Sequence, residues 1–192
     1  MAILVLNELL QDFPEAELCM IGPIKDSSYE DCLKLSELLR IKNKINFTGL
    51  LDKKDWVKMS REYDIFLFLT NFDNLLVSIL EVMALGFPIV TTNAGGLLNF
   101  HEDNIDALMV KKNDVKSMSK KVKRIILDSK LAKNLSLNAR SKSELYSWSN
   151  LRKQWEKLFL ELKRIIKMKK IESIKYMKTI QRIEVLQKSG HQ

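Results

Sequence analysis

The sequence has few of the residues that mark disulfide-bonded or disordered proteins. Its 192 residues include only two cysteines, six glycines and three prolines. Two cysteines cannot form a disulfide framework, so Cys19 and Cys32 are predicted to be reduced thiols in a cytoplasmic protein. The low glycine and proline content, together with 46% hydrophobic residues, excludes a collagen-like or wholly disordered chain and indicates a globular protein.

Long hydrophobic runs and metal-binding patterns are also lacking. The longest apolar run near the start covers residues 2–6, far short of the roughly 20 residues that a membrane-spanning helix needs. No charged segment precedes this run and no small-residue cleavage site follows it, which argues against a signal peptide. The two histidines and two cysteines have no zinc-site spacing, so no metal is predicted.

The net charge of +8 is confined to the C-terminal part of the sequence. Residues 151–192 contain 12 basic and 4 acidic side chains, and residues 1–150 contain 20 of each. A neutral body is not typical of a fold that binds nucleic acid. We therefore expect a neutral domain over residues 1–150 and a basic helical tail over residues 151–192, and no nucleic-acid partner.

Apolar runs typical of strands alternate with helical patterns through the neutral part. The expected strands cover residues 17–21, 45–48, 65–69, 88–92 and 107–110, and the expected helices cover 2–10, 28–42, 52–63, 75–85, 97–101, 114–127 and 131–144. This alternation predicts an α/β, Rossmann-like parallel sheet with flanking helices. The run 65–69 is apolar throughout, which predicts a strand buried on both faces. Ligands of such sheets bind at the carboxyl ends of the strands.

Two carboxylates lie where the third strand gives way to a helix. Asp73 precedes the helix start, whose N–H groups would suit an anion such as a diphosphate. Glu81 lies in an otherwise apolar helix, where a carboxylate needs a partner or a ligand. Alone, Asp73 could be a helix cap, and Glu81 could form a salt bridge or lie at an exposed edge of its helix. They are about 10 Å apart along the helix, a spacing that fits a nucleotide sugar.

The segment around these carboxylates resembles the C-terminal domain of retaining glycosyltransferases of family 4, the glycosyl transferases group 1 domain. The matching residues are Asp73, then after seven residues Glu81-Val82-Met83-Ala84, then Gly86-Phe87-Pro88 and Gly95-Gly96. Segments 13–23, 45–51, 63–70 and 139–148 resemble the family in order and spacing. The sequence departs from the family pattern at Asp73, where Glu is more usual, and at Leu76, Leu98 and Ala107.

The resemblance implies a role for each matched residue. Glu81 would accept hydrogen bonds from ribose hydroxyls, and Asp73 would hold hydroxyls of the donor sugar. The backbone N–H groups of Asn74, Leu75 and Leu76 would face the sugar and the diphosphate, and the turn of Gly49, Leu50 and Leu51 would line the base. The family's donor is a nucleotide-diphosphate sugar, used without a metal or other cofactor for retaining transfer of a hexose to a glycan or lipid-linked acceptor.

Family enzymes have two Rossmann-like domains, and the resemblance covers only the second. The matched region begins inside the first helix of that domain, so we expect its first strand to be missing. Residues 1–24 contain no Lys or Arg, although the family binds the diphosphate with such residues near the domain start. We therefore expect a fragment that is incomplete as an enzyme alone, with a non-catalytic binding or interaction protein as the alternative.

The remaining candidates concern packing and the tail. His101 is expected at the surface or in packing, and Trp148 and Trp155 are expected to be core anchors. A last helix beginning near Ser147 or Ser149 carries an apolar stripe at 151, 155, 158, 162 and 165. From residue 168 the apolar spacing becomes three, so the stripe winds around the helix. The tail is either a solvated extension or a basic helix that binds a partner or an anionic membrane surface, which would place the protein at the inner membrane face.

Overall fold

The computed structural model describes residues 1–24, 27–70 and 77–189. It divides into two compact units, residues 1–144 and residues 145–192. The strands are β1 (Leu18–Ile21), β2 (Ile45–Gly49), β3 (Phe66–Phe68), β4 (Ile89–Thr92) and β5 (Leu108–Val110). The helices are α1 (Ala2–Leu9), α2 (Ser27–Leu38), α3 (Lys53–Met59), α4 (Val77–Leu85), α5 (Leu97–Phe100), α6 (Val115–Leu127), α7 (Ser129–Leu145) and α8 (Trp148–Ser189).

The five strands of the first unit form two parallel sheets. β1 pairs with β2, with Leu18 opposite Ile45, and β4 lies between β3 and β5. The prediction of a Rossmann-like parallel α/β fold is confirmed. β4 is buried at every residue, whereas β3 is only half-buried, so the prediction of full burial for the run 65–69 is wrong. The reason is that β3 has a strand partner on one side only among the described residues.

Helix α1 packs against both sheets at once. Its side chains Ile3 and Leu6 belong to an apolar cluster with residues of β1 and β2. Its side chains Val5 and Leu9 belong to a second cluster, which contains residues of β3, β4 and β5. The core of the first unit is therefore continuous through α1, although the two sheets are separate.

Helix α2 ends at Leu38, earlier than the predicted end at residue 42. Arg40 has a φ of 58°, a left-handed conformation that residues other than glycine adopt rarely. The N–H of Ile41 donates to the carbonyl of Ser36 at 3.0 Å, the bond that closes a Schellman motif. Burial of Ile41 beside α1 stabilises this turn. Glycine usually occupies such a position, so a sequence with arginine there gives no signal for the end of the helix.

The second unit is dominated by α8, which begins where the sequence predicts. Trp148 and Trp155 are 70% and 49% exposed, so the prediction that they anchor a core is wrong. A single helix has no second apolar surface within its own unit against which an indole could be buried. In the parts of the chain that the structure describes, no helix is both long enough and apolar enough to span a bilayer.

A buried charged cluster lies at the end of α5. The Nδ1 of His101 donates to Oδ1 of Asp106 at 2.7 Å, and Nζ of Lys142 contacts Oδ2 at 2.5 Å. The His101 and Asp106 side chains are almost fully buried. Burial raises the pKa of Asp106, but hydrogen bonds from His101 and Lys142 outweigh it and hold the pKa below its ordinary value. The cluster thus ties α7 to the segment before β5.

We expect this cluster to make stability depend on pH. A carboxyl group whose folded pKa is lowered stabilises the fold above its unfolded pKa of about 4, and this contribution is lost as the pH falls through the folded pKa. Asp106→Asn should lower the free energy of unfolding at neutral pH by about 3 kcal/mol, because it leaves Lys142 without its buried partner. It should also make the free energy of unfolding fall less steeply as the pH is lowered below about 4. Urea denaturation at several pH values measures both effects.

Asp12→Asn serves as the control, because it removes a more exposed ion pair with Lys123. We expect this variant to stay within about 0.5 kcal/mol of the wild type. Equal pH dependence of the wild type and Asp106→Asn would contradict the assignment.

Candidate functional site

The predicted site residues divide into two groups in the structure. Gly49, Leu50, Leu51 and Glu81 are described, and they are reported below. The predicted residues Asp73, Asn74, Leu75 and Leu76 lie outside the described residues, and their roles stay predictions.

The turn after β2 joins the carboxyl ends of β1 and β2. Gly49 has a φ of 69°, which glycine adopts without strain. Its carbonyl accepts a hydrogen bond of 3.0 Å from the N–H of Gly22, directly after β1. Leu50 is 76% exposed at the tip of this turn, and Leu51 is half-buried. The turn therefore presents an apolar side chain to solvent at the sheet edge where ligands of parallel sheets bind.

Helix α3 starts immediately after this turn. The carboxylate of Asp52 caps the helix by accepting a hydrogen bond from the N–H of Asp55 at 2.8 Å. The cap fixes the first turn of α3, and with it Lys53, at the carboxyl end of β2.

Glu81 reaches this edge from α4. Its neighbours Ile79, Val82 and Met83 are buried, but the Glu81 side chain keeps 30% of its surface exposed. Oε1 of Glu81 contacts Nζ of Lys53 at 2.7 Å. Of the alternatives for Glu81, the salt bridge is therefore present in the structure, and the ribose-binding role stays a prediction. The ion pair brings α4, which follows β3 in the chain, to the carboxyl end of β2.

Sequence reasoning missed Lys53 as a member of this site. The available clue was its position in the first turn of a predicted helix that directly follows a strand. Such a turn lies at the carboxyl edge of a parallel sheet, so a lysine there is close to any carboxylate at the same edge.

Two threonines fix the end of β3. The Oγ1 of Thr91 donates to the carbonyl of Phe68 at 3.1 Å, and the Oγ1 of Thr92 donates to the carbonyl of Thr70 at 2.5 Å. Both threonines are buried in β4, so their hydroxyls need these partners. The backbone is thus held as far as Thr70, at the start of the segment that contains Asp73.

The described residues contain no candidate metal site. Within the described ranges, no three His, Cys, Asp or Glu side chains lie close enough together to hold a metal ion. Lys53 and Glu81 form an ion pair at the carboxyl edge.

Comparison with known proteins identifies relatives of this chain. Residues 1–142 match the sequence profile of the family described as Glycosyl transferases group 1. The chain is 24% identical over 146 residues to the capsular polysaccharide biosynthesis glycosyltransferase CapM of Staphylococcus aureus, covering 72% of this chain and 38% of CapM.

Two solved structures show the same fold at low sequence identity. Anabaena Alr3699/HepE, solved in complex with UDP, superposes with a TM-score of 0.74 at 17% identity, over 84% of this chain and 45% of HepE. The C-terminal domain of the Francisella tularensis group 1 glycosyl transferase LpcC superposes with a TM-score of 0.65 at 21% identity, over 73% and 74% of the two chains. This chain spans about a third of the length of the curated relatives it matches.

The Lys53–Glu81 pair is expected to contribute little to folding. The Lys53 side chain is 73% exposed, and exposed pairs are screened by water and lose side-chain entropy. Lys53→Met should therefore change the free energy of unfolding by less than about 0.5 kcal/mol. Lys142→Met is the contrasting variant, because its partner Asp106 is buried, and it should cost about 3 kcal/mol. Urea denaturation compares the two. Equal losses would show that the Lys53–Glu81 pair is a structural element.

Proposed function

Because this chain belongs to the glycosyl transferases group 1 family, we propose that its first unit binds the nucleotide part of a nucleotide-diphosphate sugar. The observation that carries the proposal is the position of Glu81. This carboxylate projects from a largely apolar helix and contacts Lys53 at the carboxyl end of β2, and the turn that precedes Lys53 exposes Leu50. Ribose hydroxyls are donors that such a carboxylate accepts, and the Leu50 side chain offers an apolar surface for the base.

The proposal extends along α4 to the phosphates and the sugar. The backbone N–H groups of Asn74, Leu75 and Leu76 would face the diphosphate, which a helix N-terminus stabilises without a metal. Asp73 would accept hydrogen bonds from the donor sugar. HepE, which has the same fold, was solved with UDP, and this supports a nucleoside diphosphate as the first ligand to test.

The proposed reaction is retaining transfer of a hexose to a glycan or lipid-linked acceptor. CapM, a curated relative, is named for capsular polysaccharide biosynthesis, which supports an acceptor of this kind. The chemical requirement at this unit is to stabilise the diphosphate as negative charge develops on it during bond cleavage. Since the chain covers 38% of CapM, we propose donor binding for this unit and transfer for an assembly that also provides an acceptor site.

Calorimetric titration with UDP, GDP and their sugars tests the proposal. We expect saturable binding of at least one nucleotide. Glu81→Gln should weaken it at least about tenfold, or about 1.4 kcal/mol, because the amide is a poorer acceptor for ribose hydroxyls. Glu37→Gln is the matched control, since Glu37 forms an ion pair of the same length with Lys42 at another place in the fold. No heat at millimolar nucleotide, or equal affinity of Glu81→Gln and the wild type, would refute the proposal.

A second candidate function is interaction through α8, and the exposure of its apolar side chains favours it. Trp155 stacks near Phe159, with ring centroids 5.7 Å apart, and both are exposed beside a strongly basic sequence. A basic amphipathic helix of this kind fits an anionic membrane surface.

Vesicle sedimentation tests this second candidate. The chain should bind vesicles that contain about 30% phosphatidylserine, because this anionic lipid attracts basic segments. High salt should release the chain from these vesicles, because it screens the attraction. Trp155→Ser should weaken binding about fivefold, because it removes apolar area from the interface. Equal binding to neutral phosphatidylcholine vesicles, or none to either, would contradict it.

A further inference from the structure

The ion pair of Lys53 and Glu81 has hydrogen-bonding capacity that the described part of the fold does not use. Nζ of a lysine carries three N–H donors, and the structure directs one of them to Oε1 of Glu81 at 2.7 Å. Among the described residues, Nζ of Lys53 has no other hydrogen-bond partner and Oε2 of Glu81 has none. Within this part of the chain, two donors and one carboxylate oxygen are therefore available to a ligand.

Both members of the pair can be reached from solvent, but they are held differently. The Lys53 side chain is 73% exposed and the Glu81 side chain is 30% exposed. Glu81 projects from α4 between buried neighbours, which fixes the position of its carboxylate. The Asp52 cap fixes the backbone of Lys53, whose ammonium lies at the end of a flexible four-carbon stem. The ammonium can therefore turn towards a ligand while the carboxylate stays in place.

The chemistry of an ion pair selects the kind of group that binds to it. A free anion is repelled by Glu81 and a free cation is repelled by Lys53. A hydroxyl group is uncharged and is both a donor and an acceptor. A hydroxyl beside this pair would donate to Oε2 of Glu81 and accept from Nζ of Lys53, and both hydrogen bonds would be strengthened by the charge of the protein group.

The turn before α3 places such a hydroxyl close to the proposed position of the base. Leu50 and Lys53 are three residues apart, so their Cα atoms are separated by at most about 11 Å. In a nucleoside the ribose is bonded directly to the base, so a base that contacts Leu50 must have its ribose nearby. Lys53 lies at this short distance along the chain, and Glu81 contacts it from α4.

We propose that Lys53 binds the 2′-hydroxyl of the ribose together with Glu81 and thereby selects ribonucleotides over 2′-deoxyribonucleotides. This inference rests on the proposed nucleotide binding by the first unit, and it adds a donor to the acceptor already assigned there. The 2′-hydroxyl oxygen accepts from Nζ of Lys53, and its proton is donated to Glu81. A 2′-deoxyribose leaves both charged groups without these bonds in the complex, which is the situation in which a site rejects an analogue that lacks a hydroxyl.

Calorimetric titration of the full chain with UDP, GDP and their 2′-deoxy forms tests the role of Lys53. For the base that binds, we expect the wild type to bind the 2′-deoxy form at least about tenfold more weakly than the ribonucleotide. Lys53→Met should reduce this ratio to below about threefold, because the donor to the 2′-oxygen is lost. Folding is not expected to interfere, since the pair is exposed and contributes little to stability.

Lys54→Met is the matched control. Lys54 is the next residue of α3, it is exposed, and it forms no ion pair within the described ranges. Its removal takes away the same charge from the same edge, so it should weaken both forms by equal factors and keep the ratio of the wild type.

The outcomes separate this inference from the proposed function. Binding that is weakened by Glu81→Gln, with equal ratios in the wild type and Lys53→Met, overturns the role of Lys53 and leaves nucleotide binding supported. A ratio near one in the wild type has the same meaning. An equal drop of the ratio in Lys53→Met and Lys54→Met also overturns it, because the effect would then come from charge alone. Binding of none of the four nucleotides refutes both proposals.

Discussion

The first unit depends on the packing of one short helix, α1, against two sheets. Strands of separate sheets share no backbone hydrogen bonds, so side-chain burial must hold them in position. The eight residues of α1 meet this requirement with an almost entirely apolar sequence, in which Ile3, Val5, Leu6 and Leu9 are buried. Because burial of such side chains contributes about 2 kcal/mol each, α1 is a substantial part of the stability of this unit. The alignment of the carboxyl edges, and therefore the site, follows from it.

The position of Glu81 follows from the same alignment. An ionised carboxylate on an apolar helix is unfavourable unless water or a counter-charge reaches it. α4 buries Ile79, Val82 and Met83 and leaves the side of Glu81 facing the turn after β2. In that turn Gly49 adopts a left-handed conformation, Leu50 is exposed, and the Asp52 cap begins α3. The geometry thus places the Glu81 carboxylate beside Lys53 at an edge of the sheet that water can reach.

The alternation of apolar runs was sufficient to predict the five strands and to place the starts of α3 and α6 within one residue. The end of α2 was not predictable, because Arg40 adopts a left-handed conformation that burial of Ile41 imposes from outside the local sequence. The exposure of Trp148 and Trp155 was missed because an apolar stripe predicts a buried face without showing whether a partner surface exists. At the site, Glu81 was found as a charge in an apolar pattern, whereas Lys53 looks like any surface lysine until its distance to Glu81 is known.

Asp106 and Glu81 show why a paired carboxylate can be either structural or available to a ligand. Each contacts a lysine, but the Asp106 side chain is 3% exposed and also binds His101, so removing any partner leaves a buried charge. Glu81 and Lys53 are both accessible to water, and separating them exchanges one well-hydrated arrangement for another at little cost. In the proposed nucleotide complex, a ribose hydroxyl would therefore reach Glu81 without first breaking a strong contact. Between Asp106 and Glu81, the more exposed Glu81 is the better candidate for ligand binding.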